Sequence, residues 1–331
     1  MSRYKVLSLT DHGGHSKENS IYAILSQMSM HPQCDSVDVA SRSNPVNNAF
    51  FDNIDSTTLE VKNVDESFSY DPSGKQFIDN TSSTNLSDYD IIFMRLPRPV
   101  TDDFLRQLKK AAGDRIIIND PLGIITCSSK AFLVNFPEYC PPIKLCNSIA
   151  EVNAFSEQYD MVLKPLRAYG GKGLVKIVNG VLNDGVQDQD KDMYLKTIES
   201  ELEEEGYLAM KYLTNVKNGD KRLIVVGGEI LASSLRLPAE DSWLCNVAQG
   251  GKSVSSTPTD EEYDLVRKIH PKLEENGILI YGVDTLEDDN GLRILSEINA
   301  LSIGGFPQAE AQTGKPIIKI MLDRFFKYAG S

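Results

Sequence analysis

The chain is poor in tryptophan, histidine and positive charge, and it has neither a cysteine pair nor a long apolar run. A formal net charge of −13 and a pI near 4.9 argue against a nucleic-acid or anionic-membrane surface, where a basic footprint is expected. Small molecules are the expected partners. No apolar run reaches about 18 residues, so no membrane span is expected. The run Lys5 to Thr10 is cut off by Asp11 and is too short for a signal peptide. Cys34, Cys127, Cys140, Cys146 and Cys245 are an odd set without Cys-x-x-Cys spacing. They read as reduced, mostly structural thiols of a cytoplasmic protein. His12 and His15 lack a third ligand nearby and read as a polar loop after the first strand. Internal repeats and low-complexity tracts are absent.

With 331 residues, 41% hydrophobic and 24% charged, the chain is globular and long enough for two or three cored domains. Residues 4–10 read as a strand, 19–30 as a helix with Ile21, Ile24, Leu25 and Met28 on one face, and 41–88 as an irregular excursion with one short strand pair. A buried strand over 90–94, a helix opened by Thr101 and a strand over 115–119 complete a pattern that predicts a parallel α/β domain ending near residue 120. Further on, helices are expected over 128–136, 148–158, 188–205, 259–276 and 314–328, with strands at 143–146, 207–213, 222–227 and 229–237. Residues 238–258 lose periodicity. Their Gly250-Gly251-Lys252 suits a lid.

Asp160 to Val178 holds two short apolar runs around Gly170-Gly171-Lys172-Gly173, which reads as strand, glycine-rich loop, strand. Glycines let backbone N–H groups approach a ligand, and Lys164 and Lys172 add positive charge, a chemistry suited to phosphate. A plain hairpin with a lysine-bearing turn is the alternative. A Walker loop is excluded because Gly171-Lys172 runs into Gly173, and a dinucleotide fingerprint because Lys176 holds its third glycine position.

The last hairpin sets Asp284 on one strand, and on the other Glu297 and Asn299, two apart and on one face. Two carboxylates about 4 Å apart would repel by roughly 4 kcal/mol at an effective dielectric of 20, so a shared site needs a cation. Magnesium, with its preference for hard oxygen ligands, answers that need. An exposed acidic hairpin is the competing reading.

The ordered set Met94-Arg95, Lys130, Val162-Leu-Lys-Pro165, Gly170-Gly171-Lys172-Gly173, Asp220-Lys221-Arg222, Asn246 with Gly250-Gly251, Asp284 and Glu297-Ile-Asn299 resembles the ATP-grasp ligases, bacterial-type glutathione synthetase above all. The resemblance spans residues 90–300. It implies an ATP-grasp fold, α/β with an α+β C-terminal half: an N-terminal parallel α/β domain over 1–124, a central lid domain over 125–212 and a C-terminal domain over 213–331. It implies ATP and Mg²⁺, or Mn²⁺, as cofactors, and a homo-oligomer.

Carried over residue by residue, Lys130 and Lys164 would contact the ATP phosphates, with Tyr169, Gly170, Gly171, Lys172 and Gly173 folding over them. Lys211, Tyr212 and Leu213 would border the adenine and Asp220 would reach the ribose. Arg222 and Arg236 would face the γ-phosphate and acyl centre, Asn246 would lie in the closing loop, and Asp284, Glu297 and Asn299 would hold the metal. The implied reaction is ATP-dependent amide formation through an acyl phosphate, joining γ-glutamylcysteine to glycine. Leu244, where the family carries arginine, and 300–308, where it carries a Thr-Ser-Pro-type turn, depart from the pattern and leave another substrate pair open.

Overall fold

Residues 3–168, 170–238 and 252–331 are described by the computed structural model. Tyr169, Leu244, Cys245, Asn246 and Gly250-Gly251 lie outside them. Three sheets follow one another along the chain. The first contains β1 (Tyr4–Thr10), β2 (Cys34–Ser41), β3 (Thr58–Asn63), β4 (Ser82–Asn85), β5 (Ile91–Met94) and β6 (Ile116–Ile118), ordered β4-β3-β2-β1-β5-β6. β2, β1, β5 and β6 run parallel, and β3 and β4 add an antiparallel edge.

Ile91–Met94 is buried throughout because helices cover both faces of a parallel sheet. On one face lies α1 (Ile21–Ser29), whose Ile21, Ile24, Leu25 and Met28 recur at helical spacing. α2 (Asn48–Asn53) and α3 (Asp102–Ala112) pack against each other through Phe50, Phe51 and Phe104. Thr101 Oγ1 caps α3 by accepting from Phe104 N at 3.1 Å. The expected strand pair in 41–88 is β3 with β4, but the segment also forms α2. β2 is announced by no clear pattern, since Asp and Ser are poor strand formers, and it forms because β1 offers seven residues of parallel register.

The second sheet holds β7 (Ile143–Cys146), β8 (Met161–Pro165), β9 (Val175–Val178), β10 (Val181–Asn183), β11 (Asp188–Gln189) and β12 (Tyr207–Lys211). It is antiparallel, ordered β11-β10-β9-β8-β12-β7. The helix expected over 128–136 is replaced by α4 (Pro121–Cys127) and a 3₁₀ turn over Lys130–Asn135, because Asp120 and Ser129 each cap a separate start. Beyond α5 (Ile149–Ser156), the helix expected over 188–205 is two, α6 (Lys191–Thr197) and α7 (Glu199–Glu204), broken at Ile198. These helices and the sheet enclose a core of their own around Leu163, Ile177, Leu195 and Leu202.

The third sheet, β13 (Asp220–Val226), β14 (Glu229–Leu237), β15 (Lys252–Ser256), β16 (Ile280–Glu287) and β17 (Arg293–Asn299), is antiparallel in the order β15-β14-β13-β16-β17. β15 corrects the expectation of a loop through residue 258: Ser253 to Ser256 pair with β14 despite their serine-rich sequence. α8 (Asp260–Glu275) opens on a capping box between Thr259 and Glu262. α9 (Phe306–Thr313), not expected from sequence, starts at Gly305 with Pro307 in its first turn, and α10 (Ile317–Ala329) ends the chain.

Glu262 is fully buried, pairs with Lys221 Nζ at 2.9 Å and accepts from Thr285 Oγ1 at 2.5 Å. Breaking such a pair from one side costs about 3–5 kcal/mol, so Lys221, in the middle of Asp220-Lys221-Arg222, holds the sheet to α8. Asn119 ties the first sheet to the third. Its Oδ1 accepts from Leu279 N and Ile280 N, both at 2.9 Å, and its Nδ2 donates to Ile280 O at 2.6 Å and Ala300 O at 2.7 Å.

Candidate functional site

Strand alternation sends Lys221 toward α8 and leaves Asp220 and Arg222 together on the opposite face of β13. In the register of the third sheet Asp220 lies beside Arg236, Arg222 beside Asp284, and Asp284 beside Glu297. Gly282 makes room for this: a Cβ there would stand 3.0 Å from Arg222 Cδ. Arg222 grips Asp284 through Nε and, at 2.6 Å, through Nη2. Arg236 donates to Asp220 at 2.5 and 2.6 Å and reaches Asp284 at 2.9 Å. Asn299 Nδ2 stands 3.4 Å from Asp284 Oδ2. The cation that the carboxylates require is thus supplied for Asp284 by two guanidiniums.

These contacts move the two aspartates apart. Burial works against the charged form of Asp284, but Arg222 and Arg236 outweigh it and hold the carboxyl down at about 2. Asp220 goes the other way, to about 6, because burial and the charge of Asp284 outweigh Arg236. A carboxyl raised in the folded state costs stability once ionised. That cost is absent below the unfolded value near 4 and complete above about 6. Asp220→Asn is therefore expected to melt above wild type at pH 8, with the gap closing as pH falls through 6 toward 4. A gap that widens on acidification would refute this balance.

Lys164 is buried on β8, with Nζ 3.2 Å from Met210 Sδ. Lys130, in the 3₁₀ turn, is buried as well and donates to Ala168 O. Burial holds both ammonium groups below their ordinary range, and in each case the negative charge of Glu297 works against it. Lys130, Lys164 and the Glu297 carboxylate of the third sheet thus lie within electrostatic reach of one another. Glu297 is half-buried, and its carboxylate makes no hydrogen bond to any described residue. Its free carboxylate, beside Asp284 and two residues from Asn299, offers hard oxygen donors of the kind a magnesium ion takes.

Gly170, Gly171 and Gly173 have φ of 67°, 81° and 69°, a region closed to most side chains. Lys172 beside them lines a cavity of about 560 Å³ together with Arg98 and Arg167, and Arg167 pairs with Asp102 at 2.7 Å. Lys211 pairs with Asp289 at 2.6 Å, Lys176 stands 5.2 Å over the Tyr212 ring, and Leu213 is buried. Sequence reasoning overlooked Arg98 and Arg167 in this cavity. The Arg-Leu-Pro-Arg-Pro run over 95–99 was the signal for Arg98.

His12 stacks on Phe77 and bonds Ser41, while His15 bonds Thr10 and Tyr22. Burial lowers both, so they are neutral loop supports. Cys34, Cys127, Cys140 and Cys146 are buried free thiols pushed up by burial to about 11, 12, 12 and 11, which leaves them protonated.

Residues 129–314, which carry the lysines, the glycine loop and the Asp284–Glu297 hairpin, match the family model of the prokaryotic glutathione synthetase ATP-grasp domain. The chain belongs to that ATP-grasp family. Among its curated relatives, glutathione synthetase of Escherichia coli strain K12 is 30% identical over 276 residues, 80% of each chain. Glutathione synthetase of Bradyrhizobium diazoefficiens is 28% identical over 235 residues, 70% of each. Solved structures share the ATP-grasp fold at much lower identity. D-cycloserine synthetase DcsG has a TM-score of 0.64 at 9% identity, over 98% of this chain and 99% of its own. The D-alanine-D-alanine ligase of Coxiella burnetii has 0.58 at 11%, over 100% and 97%. The fold is α/β and the protein is an ATP-dependent ligase.

Proposed function

We propose that the chain is a glutathione synthetase, joining γ-glutamylcysteine to glycine at the expense of ATP. The observation that carries this reading is the closeness of charge between the second and third sheets: Lys130 and Lys164 lie within electrostatic reach of Glu297, which sits beside the Arg222–Asp284–Arg236 cluster. In that geometry the two lysines and the Gly170–Gly173 turn bind the triphosphate, and Arg222 and Arg236 orient the reacting carboxylate. One carboxylate oxygen attacks the γ-phosphorus in line, ADP leaves, and an acyl phosphate forms. The glycine amine then attacks the acyl carbon and phosphate departs with the bonding pair. Mg²⁺, which Glu297, Asn299 and Asp284 would hold, supplies charge neutralisation at the phosphates. Electrostatic stabilisation by Lys130, Lys164, Arg222 and Arg236 is the main contribution of this chain.

The division at 124/125 and 212/213 belongs to the same proposal. It is supported by the three sheets, which end at Ile118, begin again at Ile143, end at Lys211 and resume at Asp220. No helix among the described residues is long and apolar enough to cross a membrane. Four protonated thiols suit the reducing cytoplasm we assign it to, and a homo-oligomer is expected by the family resemblance.

A different peptide or amino-acid pair is the second reading, favoured by residues 304–312. There Gly304, Gly305, Gln308 and Gln312 line a cavity of about 310 Å³ with Arg222 and Arg236. Phosphate release with ATP and Mg²⁺, measured against a panel of dipeptides and amines, decides between them. Release that requires γ-glutamylcysteine and glycine together is the expected result. Release with another pair at higher kcat/KM would replace it.

A further inference from the structure

Arg95 follows β5 at the carboxyl end of the parallel sheet, where the chain leaves β1 for β2 on one side and β5 for β6 on the other. Open α/β sheets take ligands in the crevice at this switch point. Arg95 is only 7% exposed, yet no described carboxylate pairs with it and its Nε has no hydrogen-bond partner. The guanidinium carbon lies 5.6 Å from the centre of the Phe93 ring. A buried cation with an aromatic face and no counter-charge is costly, and an anion beside it would offset that cost.

Neighbouring groups do not supply one. His15, whose charged form Arg95 disfavours, is held at about 4 by burial first and then by the charges of His12 and Arg95, and is neutral. Its ring nitrogens are engaged by Thr10 Oγ1 at 3.1 Å and Tyr22 OH at 2.9 Å. One short segment joins Arg95 to the Arg222 cluster: Ser302, at φ 49°, donates to Leu96 O at 2.7 Å, and Ile303 packs where Arg222 passes Gly282.

We propose that Arg95 anchors a non-reacting carboxylate of the peptide substrate, so that the reacting carboxylate is directed at Arg222 and Arg236. This rests on the ligase reading above and adds to it which charge of the substrate is recognised. In γ-glutamylcysteine that group is the glutamyl α-carboxylate.

Arg95→Met removes the charge while keeping an apolar chain. With γ-glutamylcysteine, glycine and ATP, it should raise KM for the dipeptide about 100-fold and leave KM for ATP within about twofold. The preference of wild type for γ-glutamylcysteine over 4-aminobutyrylcysteine, which lacks only that carboxylate, should vanish. The melting temperature should hold or rise, because an unpaired buried charge is gone. An unchanged dipeptide KM, a preference that survives, or a drop in melting temperature with equal losses for both dipeptides would overturn the proposal. If wild type does not turn over γ-glutamylcysteine, the substrate reading fails by itself, and glutarate added to nucleotide-free protein decides the anchor. A rise in the melting temperature of wild type but not of Arg95→Met supports it. No rise, or the same rise in both, rules it out.

Discussion

Glu297→Gln is expected to lower ATP turnover by about 10³-fold while the melting temperature stays within about 2 °C of wild type. The two halves of this expectation come from one observation. Glu297 ends an apolar strand half-buried, with its carboxylate bonded to no described residue, so removing its charge breaks no hydrogen bond to those residues. That same charge opposes the loss of protonation at Lys130 and Lys164, and it is the unpartnered oxygen donor beside Asp284. On the proposed reading, its function lies with the ligand set. ADP release at saturating substrates and a thermal melt are the two measurements. Turnover within tenfold of wild type would remove Glu297 from the site, and a fall of many degrees would make it a fold residue.

Lys164→Met should produce a loss of similar size, about 10³-fold, with the opposite signature in stability. Lys164 is buried against Met210 Sδ, and burial pushes its ammonium group down. In the free protein this charge is a cost, so a methionine of similar length should raise the melting temperature. ATP with Mg²⁺ should then raise it less than in wild type, since a ligand stabilises the folded state only by what it binds there. A variant that melts lower, or responds to ATP as wild type does, would contradict a phosphate role for Lys164.

Local chemistry was readable in the sequence. The apolar runs flanking Gly170–Gly173 become β8 and β9, and Thr101 and Thr259 cap the helices they precede. The period of two along β17 was enough to group Glu297 with Asn299. What escaped depends on partners far along the chain. β2 and β15 are strands because β1 and β14 offer them register, against their own Asp and Ser content. The α4 start depends on a single cap, Asp120. That Asp284 would be held by two arginines, and Arg95 by no carboxylate, could not be read from spacing, because both depend on which strands become neighbours.

The amide of Asn119 fastens the parallel sheet to the C-terminal one by four hydrogen bonds and joins the two into one chassis. The sheet carrying Lys164 meets that chassis through Leu208 and Met210 in a shared apolar core and through two ion pairs at the rim, Lys211–Asp289 and Arg167–Asp102. Rim pairs of this kind hold with only about 0–1 kcal/mol each and exchange readily with water. On the proposed reading, the travel needed to admit and release a nucleotide would fall to the middle sheet, pivoting on its greasy contact while both rim pairs unclasp.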